Sequence, residues 1–296
     1  MRMISIIAGL LAATAAVAQD APRRADAPPV ITGTCAVLPM LPGTDIPVVE
    51  VMLGGKGPYR FAIDTGAGGH GRIKPELAAE LGFEVIGQVR TPAPGGAVDT
   101  REVFGAPELA VGGVTFKDVG LVALSTVRGP NVPWDGILGI ALFQRLALTL
   151  DYGNAKVRFG GPGLKEGLAL EFDRSIPVFP LTIGGKTFAA HLDTGNGAGA
   201  LFLSEADAQA LPLSGEPVSR GKGRTSFGEF DIMEAPLSVP IMAGSAKLQM
   251  QAVGWPSPRP GGNLGSKGLK GMAVTIDTAA KLGDIRASGA APTCPA

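Results

Sequence analysis

Histidine, cysteine and one-sided charge are all scarce in this chain of 296 residues. The two histidines, His70 and His191, and the two cysteines, Cys35 and Cys294, lie far apart, which argues against a zinc site of clustered His and Cys ligands. Lys and Arg number 26 against 26 Asp and Glu. Without a net basic face there is no electrostatic footing for nucleic acid or for a polybasic membrane grip. Beyond the first eighteen residues no run is long and apolar enough to span a bilayer. Familiar catalytic signatures are missing as well. No Gly-x-Ser-x-Gly occurs, and GGKT (184–187) lacks the earlier glycine of a phosphate-binding loop, because Pro180 stands at that place.

What is present begins with MRMISIIAGLLAATAAVA (1–18), which reads as a secretory signal. Arg2 gives the positive start, Ile4 to Leu11 the apolar stretch and Ala16-Val17-Ala18 the small-residue cleavage site. The expected product is an exported protein, periplasmic or secreted, with no membrane anchor once the signal is removed. In such an oxidising compartment Cys35 and Cys294 are expected to form a disulfide tying the two ends, the alternative being two free thiols. Gly (44) and Pro (25) are abundant beside 45% hydrophobic residues, a composition that suits many short strands joined by tight turns around a sizeable core.

The chain repeats itself. IPVVEVMLGGK (46–56) aligns with IPVFPLTIGGK (176–186), and each leads into an apolar strand that ends in Asp-Thr-Gly, at Asp64-Thr65-Gly66 and Asp193-Thr194-Gly195. The offset there is 129 (193 minus 64). Downstream, GILGIALFQRLALTLD (136–151) aligns with GNLGSKGLKGMAVTID (262–277) at an offset of 126 (262 minus 136). Leu148 and Leu150, like Val274 and Ile276, alternate with other residues as in a half-buried strand. A repeat of this length predicts two similar lobes and no solenoid of short units. The expected division is a flexible segment 19–35, a first lobe 36–160, a connection 161–175, a second lobe 176–288 and a tail 289–296 holding Cys294. Helix signals are confined to KPELAAELG (74–82), with Pro near its start and Gly82 as its stop, and SEADAQAL (204–211), with Ser204 as N-cap. Runs such as APELAV (106–111) and KLQMQAVG (247–254) read as strands, and Trp134 and Trp255 as core residues.

The doubled tripeptide is where chemistry enters. Asp at a strand end projects a carboxylate, Thr can bond the backbone of the twin loop, and Gly allows a sharp turn whose N–H reaches the carboxylate. Two carboxylates packed together cannot easily both ionise, so one keeps a proton and the pair titrates as a unit. It then offers an acid and a base at once, which a single Asp does not.

These residues resemble the pepsin/retropepsin-like aspartic proteases, through FAIDTGAG (61–68) with WDGILG (134–139) and HLDTGNG (191–197) with NLG (263–265). The resemblance implies an all-β fold of two pseudo-twofold-related barrel-like lobes, each with a short helix. It further implies a monomeric aspartic endopeptidase that needs no cofactor or metal and acts on peptide or protein substrates. By carry-over Asp64 and Asp193 are catalytic, with Thr65, Gly66, Thr194, Gly195 and Asn196 supporting their loops. A flap over the substrate would come from RTPAPGGAVDTREV (90–103), with Gly95 and Gly96 at its tip. The sequence departs from the family at Asn263, which replaces the first apolar residue of the second support segment, and at Asn196, expected to donate to Asp193. Neither Tyr59 nor Tyr152 matches the flap tyrosine. His191, in the place of Ala62, reads as a packed or solvated strand residue. These departures motivate a second reading, a non-catalytic member of the same fold that binds peptide or another ligand.

Overall fold

A computed structural model describes residues 28–92, 98–124, 133–225, 228–257 and 261–295. The signal stretch 1–18 and the flap tip at Gly95 and Gly96 lie outside the described residues.

Short apolar runs punctuated by Gly and Pro give a chain that is mostly strand, arranged in three sheets of eight, six and ten strands. In the eight-stranded sheet, Val48–Leu53 and Lys56–Asp64 form the hairpin that the first repeat predicts, turning at Gly54 and Gly55. Lys56–Asp64 then runs parallel to Gly136–Gly139. Val114–Ala123 pairs with Gly71–Ile73 on one side and with Val98–Val111 on the other, so six of the strands close into a ring. Val85–Pro92 and Val98–Val111 form a hairpin across the expected flap segment.

The ten-stranded sheet repeats this plan with Ile176–Ile183, Lys186–Asp193 and Asn263–Gly265. Its departure falls on the predicted strand 247–254. Only Ala246–Lys247 and Ala252–Trp255 are strands there. The facing chain carries Pro236 and Pro240, which have no N–H to give to a ladder. Hence Gly228–Pro236 and Ile241–Ala243 are two pieces where the other half has one long strand.

The six-stranded sheet joins the halves. Its central pair, Leu148–Asp151 and Met272–Asp277, comes from the second aligned repeat and runs antiparallel, with Thr149 opposite Thr275 and their hydroxyls 3.0 Å apart. The pseudo-twofold therefore passes between these two threonines. Paired hydrogen bonds follow the same symmetry: Met40 N to Ala155 O (2.8 Å) is matched by Leu170 N to Lys281 O (2.9 Å). Asn154 N to Asp151 Oδ1 is matched by Ala280 N to Asp277 Oδ1, each 3.0 Å.

These central strands are buried on both faces, not one as the alternation implies. Leu148, Leu150, Val274 and Ile276 face the core, each contributing about 1.5–3 kcal/mol by leaving water. On the other face Asp151 takes the Ser288 hydroxyl and the Asn154 amide, and Asp277 takes the N–H of Leu164. Chain outside the sheet thus covers carboxylates that would otherwise face water. The segment 161–175, expected as a plain connection, carries the short strands Leu168–Ala169 and Glu171–Asp173. Cys35 and Cys294 are bonded, with their Cα atoms 5.7 Å apart.

Both expected helices form. Pro75–Leu81 has Pro at its start and ends at Gly82, whose positive φ of 72° lets its N–H turn back to Ala78 O and Ala79 O. Glu205–Gln209 is capped by Ser204, whose Oγ accepts from Asp207 N. Trp134 and Trp255 are both buried, as expected of core residues.

Candidate active site

The two Asp-Thr-Gly loops meet. Lys56–Asp64 and Lys186–Asp193 each end at the motif aspartate, and each is steadied by a parallel neighbour, Asp64 opposite Gly139 and Asp193 opposite Gly265. Asp64 is buried and Asp193 half-buried.

Thr65 and Thr194 are fully buried and bind the loops to one another. Thr65 N–H donates to Thr194 Oγ1 and Thr194 N–H to Thr65 Oγ1, each at 3.1 Å. Each hydroxyl then donates across the junction, Thr65 Oγ1 to Leu192 O and Thr194 Oγ1 to Ile63 O, both at 2.7 Å. Four polar groups that burial would otherwise strand are satisfied within the pair.

The glycines pack crosswise. Gly195 lies against the carboxyl group of Asp64, and Gly66 against that of Asp193, so close that a methyl on either would overlap the opposite aspartate. Gly66 N–H also donates to Asp64 Oδ1 at 3.0 Å. Each carboxyl group therefore rests on the other motif's loop, and the two share one site.

Asn196 gives its backbone N–H to Asp193 O (3.0 Å), but its side chain does not donate to the Asp193 carboxylate as the sequence implies. Its Nδ2 donates to Asn263 Oδ1 (2.7 Å), and Asn263 Nδ2 donates to Asp193 Oδ2 (2.9 Å). The reason is reach. Asn196 folds back so that its Oδ1 accepts from Ala198 N, while Asn263, on the neighbouring strand in register with His191, stands beside the carboxylate. The two departures noted in the sequence are thus one feature.

Sequence reasoning missed a further support. Ser266 Oγ donates to Thr194 O at 2.7 Å, and Tyr152 Oη lies 3.0 Å from Ser266 Oγ. Because the carbonyl only accepts, Ser266 gives its proton there and Tyr152 donates to Ser266. Burial pushes the Tyr152 phenol well above its ordinary value, and Asp45 adds to it. The offset of 126 pairs Ser266 with Ile140 and Tyr152 with Thr278, and the polar-for-apolar contrast at Ser266 was the available signal.

His191 is packed, as expected, with Nδ1 3.2 Å from Gly262 O and Nε2 3.1 Å from Asp173 Oδ2. His70 is buried and accepts from Gly120 N at 3.0 Å. Among the described residues no group of three or more His, Cys, Asp and Glu is placed to hold a metal ion.

Residues 49–142, which include Asp64 and the Ile137-Leu138-Gly139 support segment, match the family described as aspartyl protease. This stretch is similar to the retropepsin/pepsin-like aspartic proteases. Asp193 falls outside it and enters the site through the internal repeat. No curated protein matches the chain.

Proposed function

We propose that the protein is an exported aspartic endopeptidase whose acid–base pair is Asp64 and Asp193. The observation that supports this reading is the crosswise packing of Gly66 on Asp193 and Gly195 on Asp64. Like charges so placed favour a shared proton. The ionised member takes a proton from a water held between them while the protonated member donates to the carbonyl oxygen under attack. The hydrated carbonyl then collapses with protonation of the leaving amine. Thr65 and Thr194 hold the loops in register, so the carboxyl groups meet the substrate preorganised.

The remaining parts of the proposal follow from this reading. The halves act as two lobes, about 36–160 and 176–288, with an extended peptide lying between them under a flap formed from 90–103. The protein works as a monomer outside the cytoplasm. The Cys35–Cys294 bond suits that compartment, and no described helix is long and apolar enough to cross a membrane.

The test is cleavage of a mixed peptide library by the mature protein from acid to neutral pH, beside Asp64→Asn and Asp193→Asn. Each substitution is expected to abolish cleavage while circular dichroism and the melting temperature stay near wild type. Full cleavage by either variant removes the proposal. Peptide binding with no cleavage by wild type would favour the second reading, a ligand-binding member of the fold.

A further inference from the structure

We propose that Asn263, held by Asn196, is a positioning residue that makes Asp193 the charge-bearing member of the aspartate pair. The proposal rests on the acid–base reading above and assigns the two roles within it: Asp193 is the base that activates water, Asp64 the acid.

The argument starts from the direction of a hydrogen-bond chain. A backbone N–H can only donate, so the Ala198 N–H fixes Asn196 Oδ1 toward itself. Asn196 must then present its NH2 to Asn263, whose Oδ1 accepts. Asn263 in turn must present its NH2 to Asp193 Oδ2. The orientation of both amides, ordinarily ambiguous between O and N, is settled by the chain's first donor. Asp193 Oδ2 is thereby committed to accepting.

The first half shows what this chain replaces. The counterparts of His191, Asn196 and Asn263 are Ala62, Ala67 and Ile137, which pack with Ile46, Val48 and Trp134 in a small apolar cluster. Ile137 lies where Asn263 would, and a hydrocarbon donates nothing to Asp64. Asn263 is fully buried, and a buried amide is costly unless its groups are paired. Its donor is directed to a single external group, Asp193 Oδ2. An N–H held on a carboxylate oxygen favours the ionised form of that carboxylate. Gly66 N–H gives Asp64 a bond as well; Asp193 takes the Asn263 amide and is also the less buried of the two aspartates, and both favour charge on Asp193.

Charged and titratable groups near Asp193 come from both loops and from the neighbouring strand. Asp64 faces it from the opposite loop, and His191 lies two residues back on its own strand with its ring engaged by Gly262 O and Asp173. Lys267, on the turn after Asn263–Gly265, directs its ammonium to Ala198 O at 3.4 Å. All four groups are unchanged by substitutions at 196 and 263, which alter no charge.

The experiment is a titration by NMR of aspartate carboxyl carbons in the full exported chain, with Asp64 and Asp193 assigned from Asp64→Asn and Asp193→Asn. In wild type the Asp193 carbon is expected to ionise first and Asp64 second. The double variant Asn196→Ala, Asn263→Ile gives the second half the residues of the first. There the Asp193 midpoint is expected to rise by about one pH unit or more, closing or reversing the gap. Asn196→Ala alone, a milder change at a half-buried position, is expected to move it the same way by less, and serves if the double variant does not fold. Wild type in which Asp64 ionises first, or variants that leave the Asp193 midpoint in place, would overturn the assignment and leave the acid–base reading standing. Two carbons titrating independently in wild type would instead remove the shared proton, and this assignment with it.

Discussion

Thr65 and Thr194 each give a backbone N–H to the other's hydroxyl, joining two loops 129 positions apart through two bonds of 3.1 Å. Neither side chain is reached by solvent. Each hydroxyl is acceptor to its twin and donor to a carbonyl of the opposite strand end, so the pair closes a small dry network at the junction of the halves.

Replacing Thr65 by Val keeps the shape but leaves Leu192 O and the Thr194 N–H without partners. Two buried groups unpaired cost about 2–5 kcal/mol, a fall in melting temperature of roughly 5–15 °C for a chain of this size. Thr65→Ser keeps the hydroxyl and is expected to cost less than about 1.5 kcal/mol. Thermal unfolding of the two variants checks this. Equal melting temperatures for Val and Ser would show that the reciprocal bonds do not hold the junction.

Gly66 and Gly195 carry a second prediction, because their close approach concerns geometry more than stability. A methyl at Gly195 displaces the Asp64 carboxyl group, and one at Gly66 displaces that of Asp193. Under the proposed mechanism a shift of about 1 Å costs on the order of 100-fold in turnover. Gly68→Ala is the control, since its nearest neighbour beyond the adjoining chain, Arg174 O, lies 3.9 Å from where the methyl would sit. Peptide cleavage is expected to fall at least 100-fold in Gly66→Ala and Gly195→Ala and to stay within about threefold in Gly68→Ala. Comparable activity in all three would remove the claim that these glycines set the aspartate geometry.

Much of this site was legible in the sequence, because its framework repeats at nearly fixed offsets. The tripeptides, the hairpins leading to them and the Gly-x-Leu-Gly segments are local patterns, and the duplication distinguishes them from chance. Helix ends were legible for the same reason: Pro75, Gly82 and Ser204 act on their own neighbours. What could not be read were partnerships set by packing between distant strands. Asn196 and Asn263 were visible as departures, but which one faces Asp193 depends on a backbone N–H that turns Asn196 away. Tyr152 and Ser266 come from opposite halves, and no local pattern joins them. The broken strands at 246–255 follow from prolines on the facing chain, not from their own residues.

Tyr152 yields a prediction with a definite pH window. Its hydroxyl backs the second loop through Ser266 and the Thr194 carbonyl, and burial raises its phenol well above the ordinary value of 10.0. The folded protein therefore holds this proton at a pH where the unfolded chain has released it. The stabilisation is complete below about pH 10 and is lost as pH rises above it, by up to about 1.4 kcal/mol per pH unit. Tyr152→Phe removes one hydrogen bond, about 1 kcal/mol at neutral pH, and also removes this alkaline loss. Urea midpoints measured from pH 7 to pH 11 are expected to favour wild type at the neutral end, with the two proteins converging above pH 10. Every other group is common to the two proteins and cancels in the difference. Curves that stay parallel to pH 11 would mean that the phenol ionises as readily in the folded chain as in the unfolded one.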